Sequence, residues 1–113
     1  MEVTIWHNPA CSNSRGALKL IRDAGFEPVV IDYLHAPPDV ATLRQVLAES
    51  SLSAQALVRS KEAQFAELGL DEADDATLLA AMAEHPRLIN RPVVRTAKGT
   101  RLCRPPETVL EIL

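Results

Sequence analysis

The first third of the chain combines two apolar segments of strand length with an amphipathic segment between them. Residues 2–6 alternate in polarity and favour a strand, which Pro9 ends in a loop. From about Ser12 the apolar positions follow a helical period that stops at Gly25. That period places Ala17, Leu18, Ile21 and Ala24 on one face. Residues 28–33 then predict a second, largely buried strand, so the segment is a β-α-β unit with a right-handed crossover between parallel strands.

Four short helical patterns occupy the middle of the chain, at about residues 37–86. Asp39, Ser53 and Asp75 each precede an apolar stretch and are suited to cap the amino end of a helix. Gly69 is suited to end the helix that precedes it. We interpret this segment as a helical insertion.

The last part of the chain predicts a β-hairpin followed by a helix. Residues 92–96 and 100–103 form its two strands, and the turn lies at residues 97–99. Pro105 and Pro106 begin the final helix. The apolar positions of this helix are Val109, Leu110 and Ile112.

The order βαβ, several helices, ββα indicates the α/β class and a thioredoxin-like fold. We expect a single domain over residues 1–113, in three layers with a mixed four-stranded sheet, carrying the helical insertion at about residues 37–86. In this fold the functional loop follows the first strand and lies at the amino end of the first helix. Cys11 falls at that place in the chain.

Composition and charge narrow the classes of function. The 113 residues are 47% hydrophobic and 24% charged, and the net charge of −3 argues against a general nucleic-acid binder, which is usually basic. No apolar run approaches the roughly 18 residues of a membrane span, and residues 1–6 have no features of an export signal. Two cysteines are too few for a disulfide scaffold, so we expect a cytoplasmic protein.

One segment carries a charge opposite to that of the whole chain. Between His85 and Pro106 there are six basic residues and no Asp or Glu. They are Arg87, Arg91, Arg95, Lys98, Arg101 and Arg104. This pattern is compatible with a solvated basic face and with a local anion site in an acidic protein.

The candidate chemistry centres on the pattern His7-x3-Cys11-x3-Arg15. A free cysteine has a pKa of about 8.5, so little of it is thiolate at neutral pH. Cys11 precedes a helix, whose unpaired N–H groups and dipole favour an anion. Arg15 follows about one turn later, and His7 is placed to direct its imidazole at the sulfur. The pattern indicates an activated nucleophile whose loop amides can also hold an oxyanion.

Each of these residues also has a purely structural interpretation. Cys11 is small and apolar enough for a core, His7 can bond to loop backbone, and Arg15 can be a solvated helix residue. A dithiol oxidoreductase is excluded locally, because Ser14 stands where C-x-x-C needs its second cysteine. A C-x5-R phosphatase is excluded because no arginine stands six residues after Cys11. A single-thiol site remains, which needs an external thiol or Cys103 to complete a redox cycle.

Several blocks along nearly the whole chain resemble the glutaredoxin-linked arsenate reductases of the ArsC family. The first is Ile-Trp-His-Asn-Pro-Ala-Cys at residues 5–11, followed by Ser14 and Arg15. The others lie at residues 57–59, 84–86, 88–94, 99–105 and 109–113. The joint occurrence of these blocks is far more specific than any one of them.

The resemblance implies a role for the residues of the Cys11 loop. Cys11 attacks arsenate, and His7 and Arg15 tune its thiolate. Pro92 corresponds to the proline before the third strand, which faces the active cysteine and whose peptide bond is usually cis in thioredoxin-like folds.

The resemblance also assigns three of the arginines. Arg59, Arg91 and Arg104 hold the oxyanion and the thiol–arsenic adduct. The planar guanidinium suits this task, since it forms bidentate hydrogen bonds and stays charged when partly desolvated.

The implied reaction is the reduction of arsenate to arsenite through a covalent thiol–arsenate adduct. Glutathione is the co-substrate, and glutaredoxin is the protein partner that restores the thiol. Neither a metal nor a tightly bound cofactor is needed, and we expect no nucleic-acid or membrane partner. We expect a monomer, because the apolar pattern indicates no second apolar face.

Two other functions are compatible with this resemblance. Spx-like regulators bind RNA polymerase and sense oxidants through a C-x-x-C motif, which Ser14 interrupts here. A glutathione-dependent thiol reductase of another substrate would use the same nucleophile and oxyanion site. Cys103 is interpreted as a half-buried strand cysteine in preference to a redox partner.

Overall fold

The strand before Cys11 and the predicted hairpin lie in one sheet. The computed structural model describes all residues, Met1–Leu113, in two compact units. The first unit comprises Met1–Ala36 and Arg91–Leu113, and the second comprises Pro37–Asn90. The predicted insertion at about residues 37–86 lies within the second unit, and the organisation of the chain as a single domain stays a prediction.

The first unit is built around a four-stranded sheet. Its strands are β1 (Thr4–Trp6), β2 (Val29–Ile31), β3 (Val93–Thr96) and β4 (Gly99–Leu102). Their order is β2-β1-β3-β4; β1 is parallel to β2 and antiparallel to β3, and β3 is antiparallel to β4. The α/β class, the hairpin and the mixed four-stranded sheet expected from the sequence are confirmed.

Two helical segments cover one face of this sheet. They are α1 (Ser12–Asp23) and a 3-10 helix (Pro106–Ile112). The core between them and the sheet consists of Val3, Ile5, Ala17, Ile21, Val94, Cys103, Val109 and Ile112. Gly16 permits a close approach of the two segments, since a Cβ atom there would lie 3.1 Å from Pro106 Cγ.

Strand β2 and the final helix differ from their predictions. β2 is an edge strand with β1 as its one neighbour, and Val29 and Val30 are 49% and 42% exposed. The prediction of a largely buried strand was therefore wrong for these residues. The final helix has 3-10 geometry and leaves Leu110 exposed, because three residues per turn cannot keep all three apolar positions on one face.

The second unit is helical. Its elements are α2 (Val40–Ser50), α3 (Ala54–Leu57), α4 (Ala63–Glu67), a 3-10 turn (Leu70–Glu72), α5 (Asp75–Glu84) and a second 3-10 turn (Pro86–Leu88). α2 and α3 pack on α5. No helix of the chain has the length and apolar character needed to cross a bilayer.

Side-chain caps begin three of these helices. Asp39 accepts from the Thr42 N–H and Ser53 from the Ala56 N–H, as predicted. The cap of α5 is Asp74, which accepts from the Thr77 N–H at 2.8 Å. The prediction of Asp75 as this cap was wrong by one residue, because Asp75 is already the first residue of the helix.

Candidate active site

Three segments of the first unit meet where the strands β1, β3 and β4 share one end of the sheet. Trp6 at the end of β1 pairs with Val93 at the start of β3, which pairs with Leu102 at the end of β4. The loop that follows β1, the residues before β3 and the residues after β4 therefore emerge side by side. This register explains how Cys11 and Arg104 come together although 93 positions separate them.

Cys11 is the residue that begins α1. Its backbone is extended (φ −98°, ψ 122°), and its carbonyl already accepts the first helical hydrogen bond, from Arg15 N–H. Its own N–H donates to the Asn8 carbonyl at 3.0 Å. Its side chain forms no capping hydrogen bond, and the residue is 8% exposed. The sulfur thus lies at the positive end of the helix dipole.

Ser14 organises the loop before Cys11. Its hydroxyl oxygen lies 2.6 Å from His7 Nδ1 and accepts from the Asn8 N–H at 3.0 Å. The Asn8 side chain accepts from the Ala10 N–H, also at 3.0 Å. His7 was expected to direct its imidazole at Cys11, whereas its hydrogen-bond partner is Ser14.

Arg104 contacts both the Cys11 sulfur and the backbone before β3. Its Nη1 lies 3.9 Å from Cys11 Sγ and donates to the Arg91 carbonyl at 3.1 Å. The Cys103 N–H donates to the Pro92 carbonyl at 2.9 Å, which keeps the end of β4 beside the start of β3. The Arg91–Pro92 peptide bond is cis, the geometry that the resemblance implied; the Arg104–Pro105 bond is cis as well.

The surroundings of Cys11 favour its thiolate. Burial opposes ionisation and raises the pKa, but this effect is outweighed by the N–H groups of Ser14 and Asn13 and by the charges of Arg91 and Arg104. The pKa of Cys11 therefore lies below its ordinary value. Two of the three arginines assigned by resemblance, Arg91 and Arg104, thus act on the sulfur.

Arg15 and Arg59 have other partners. Arg15 is exposed, and its Nη1 donates to the Pro9 carbonyl at 2.8 Å. Arg59 belongs to the second unit, where its Nη1 lies 3.4 Å from Glu62, a carboxylate also contacted by Arg87. The expected role of Arg59 at an oxyanion stays a prediction.

The imidazole of His7 is held in its neutral form. Burial lowers its pKa most, and the positive charges of Arg22 and Arg15 act in the same direction. The carboxylate of Asp32 opposes them without reversing the shift. At neutral pH the ring is therefore a hydrogen-bond partner without a charge.

Cys103 is a core residue, not half-buried as expected. Its side chain is fully buried, its thiol donates to the Arg101 carbonyl at 3.7 Å, and burial raises its pKa to about 12. Such a thiol is inert at neutral pH. No group of three or more His, Cys, Asp or Glu side chains is placed to hold a metal ion.

Sequence reasoning missed the role of Ser14 in organising the loop. In the sequence analysis this residue was used to exclude a C-x-x-C motif. A signal was present in the helical period. Ser14 lies three residues before Ala17 and seven before Ile21, so it belongs to the buried face of α1. A serine on an apolar face needs internal hydrogen bonds, which point to the neighbouring loop.

Known proteins are similar to this chain in both sequence and fold. The model of the ArsC family matches residues 6–112. The chain is 53% identical to the arsenate reductase of Rhizobium meliloti (strain 1021), covering 100% of this chain and 82% of that protein. It is 50% identical to the arsenate reductase of Escherichia coli (strain K12), covering 98% and 80%. The solved arsenate reductase from Vibrio cholerae superposes with a TM-score of 0.95 at 46% identity, covering 100% of this chain and 98% of that one.

These matches extend over the Cys11 loop, both hairpin strands and the whole helical segment. They confirm the thioredoxin-like fold expected from the order of elements. The family model matches almost the full chain, and about half of the aligned residues are identical in these relatives. Both findings lead to the same family assignment. The chain belongs to the ArsC family.

Proposed function

We propose that this protein reduces arsenate to arsenite with Cys11 as its nucleophile. The observation that carries the proposal is the contact between Arg104 Nη1 and Cys11 Sγ at the amino end of α1. This contact places a sulfur whose thiolate is favoured next to a guanidinium that can bind an anion. The names of the relatives from Rhizobium meliloti and Escherichia coli support arsenate as that anion.

In the first step the Cys11 thiolate forms a bond to arsenic. One arsenate hydroxyl takes up a proton and leaves as water, so the adduct still contains As(V). Arg91 and Arg104 stabilise the negative charge of the bound oxygens. We propose Arg59 as the third arginine at the adduct and Pro92 as a wall of the site, both on the strength of the family resemblance.

Two external thiols supply the two electrons. Glutathione forms a second sulfur–arsenic bond, and another hydroxyl leaves as water. A glutaredoxin thiolate then attacks the glutathione sulfur; the sulfur–arsenic bond breaks, and its electron pair stays on arsenic, which becomes As(III). The products are a glutathione–glutaredoxin disulfide and a Cys11-bound As(III), which water releases as arsenite while Cys11 regains its thiolate.

The arrangement of thiols in the chain supports external reductants. Ser14 lies where a resolving cysteine would stand, and Cys103 is fully buried in the core with a raised pKa. Cys11 thus has no reactive partner thiol within the first unit. Since the cycle consumes glutathione, we propose that the protein works in the cytoplasm.

Coupled NADPH oxidation tests this function. The purified protein is supplied with arsenate, glutathione, glutaredoxin and glutathione reductase, and arsenate-dependent NADPH loss is recorded. We expect the Cys11→Ser variant to lose at least about 10³-fold in rate, because no other group can form the adduct. Equal rates for the two proteins would refute the proposal. Omitting glutaredoxin, or replacing arsenate by a small disulfide, shows whether this reductant and this substrate are the right ones.

A further inference from the structure

A fully buried hydroxyl lies in the first turn of α1. Ser14 has no exposed surface, and its oxygen connects two residues that precede the helix, His7 and Asn8. A buried hydroxyl is costly unless it is hydrogen-bonded, so these contacts satisfy it and also tie the loop to the helix.

The chemistry of the partners gives each hydrogen bond a direction. The Asn8 N–H can only donate, so the Ser14 oxygen accepts from it. The hydroxyl hydrogen is then available to His7 Nδ1 at 2.6 Å, which accepts it when the ring proton is on Nε2. Burial and the charges of Arg22 and Arg15 keep this imidazole neutral against the opposing Asp32.

The same serine also acts on the nucleophile through its backbone. The N–H groups of Ser14 and Asn13 stabilise the Cys11 thiolate. Asn8, which the Ser14 hydroxyl holds, accepts the Cys11 N–H through its carbonyl. The backbone of Ser14 therefore supplies a hydrogen-bond donor to the sulfur. The side chain of Ser14 holds the loop that carries Cys11.

We propose that the Ser14 hydroxyl is a positioning group, which holds the loop of residues 7–11 so that the N–H groups of Asn13 and Ser14 point at the Cys11 sulfur. His7 orients this hydroxyl as a hydrogen-bond acceptor, and its charge takes no part. The inference rests on Cys11 as the nucleophile of the proposed function, but it does not depend on arsenate as the substrate.

The pH profile of Cys11 alkylation by iodoacetamide tests this role without any oxyanion. Ser14→Ala and His7→Leu should each move the midpoint of the profile upward and slow alkylation at neutral pH by about three- to tenfold. His7→Asn should keep the wild-type profile, because its amide oxygen can accept in place of Nδ1. The matched control is Ser12→Ala, which removes an exposed hydroxyl from the same turn.

Cys103 reports whether each variant is folded, since this buried thiol is alkylated only when the core opens. A wild-type midpoint in a folded Ser14→Ala protein would overturn the positioning role. A His7→Asn midpoint shifted as far as that of His7→Leu would show that His7 acts by charge, and would overturn its part. If Ser14→Ala exposes Cys103, the two His7 variants decide the question. Because alkylation needs no arsenate, a failure here is distinct from a failure of the proposed reaction.

Discussion

The Arg104 guanidinium bridges the Cys11 sulfur and the backbone of Arg91. Its Nη1 is 3.9 Å from Sγ and 3.1 Å from the Arg91 carbonyl oxygen. This anchor is neutral, so it orients the guanidinium without cancelling its positive charge. The full charge remains available to the thiolate and, in the proposed reaction, to the oxyanion bonded to the sulfur.

Arg104→Gln should lower the thiolate fraction of Cys11 at neutral pH. Arg104 is exposed, so its charge is screened and worth on the order of 0.2–1 kcal/mol to the thiolate. Alkylation by iodoacetamide at neutral pH should therefore slow by about 1.4- to fivefold. Arg101→Gln removes the same charge from a guanidinium that pairs with Glu111, and it serves as the control. Identical profiles for the two variants would contradict the assignment.

Arg15→Gln should leave the alkylation profile of Cys11 almost unchanged. The guanidinium of Arg15 donates to the Pro9 carbonyl, and the charges that lower the pKa of Cys11 are those of Arg91 and Arg104. The measurement is the midpoint of the pH profile, compared side by side with that of Arg104→Gln. A shift as large as that of the Arg104 variant would restore the activating role that the sequence suggested.

Arg59→Gln should lower kcat/KM for arsenate by about 10²-fold, the usual effect of removing one donor to a developing oxyanion. Arg87→Gln is a matched control, because both arginines contact the Glu62 carboxylate. Of these two arginines, only Arg59 is assigned to the oxyanion by the family resemblance. Equal losses in the two variants would mean that the Glu62 cluster matters for the helical unit and not for the anion.

Cys103 should make the protein less stable in alkali. Its pKa is raised to about 12 in the folded state, whereas an unfolded cysteine ionises at about 8.5. Between these values only the unfolded chain has released the proton, so the free energy of unfolding falls as pH rises. The loss amounts to about 1.4 kcal/mol for each pH unit above the unfolded value.

Urea unfolding measures this loss at about pH 7.5 and about pH 9.5. Cys11→Ser is compared with Cys11→Ser/Cys103→Ala, so that the opposite contribution of Cys11 is absent from both. The double variant starts less stable, because it has a cavity, but it should lose about 1.4 kcal/mol less between the two pH values. Parallel losses would show that Cys103 ionises normally.

Asp74→Ala should lower the melting temperature by about 3 °C or more, because the α5 amino end loses the acceptor for its Thr77 N–H. Asp75→Ala should cost less, since Asp75 already lies inside the first turn. Thermal unfolding by circular dichroism compares the two. A larger effect for Asp75 would place the cap where the sequence pattern suggested it.

The candidate site was only partly accessible to sequence reasoning. The position of Cys11 at a helix start follows from local signals, namely Pro9 and the apolar period after Ser12. The roles of Arg15 and Arg104 do not. Arg15 lies four residues from Cys11 and bonds to Pro9, whereas Arg104 lies 93 positions away and contacts the sulfur.

By itself the sequence determined the order of strands and helices, the hairpin, and the position of a lone cysteine at the amino end of α1. These features depend on neighbouring residues, whose periodicity and capping chemistry act over a few positions. Tertiary structure alone decided that β2 lies at the sheet edge with Val29 and Val30 exposed, and that Cys103 is sealed in the core.

Tertiary structure also decided which groups act on Cys11. The register of β1, β3 and β4 brings the Arg91 and Arg104 segments to the loop after β1. Burial of one face of α1 turns Ser14 toward His7. A sequence pattern indicates which face of an element is apolar, but the neighbours of that face depend on strand order and packing between distant segments.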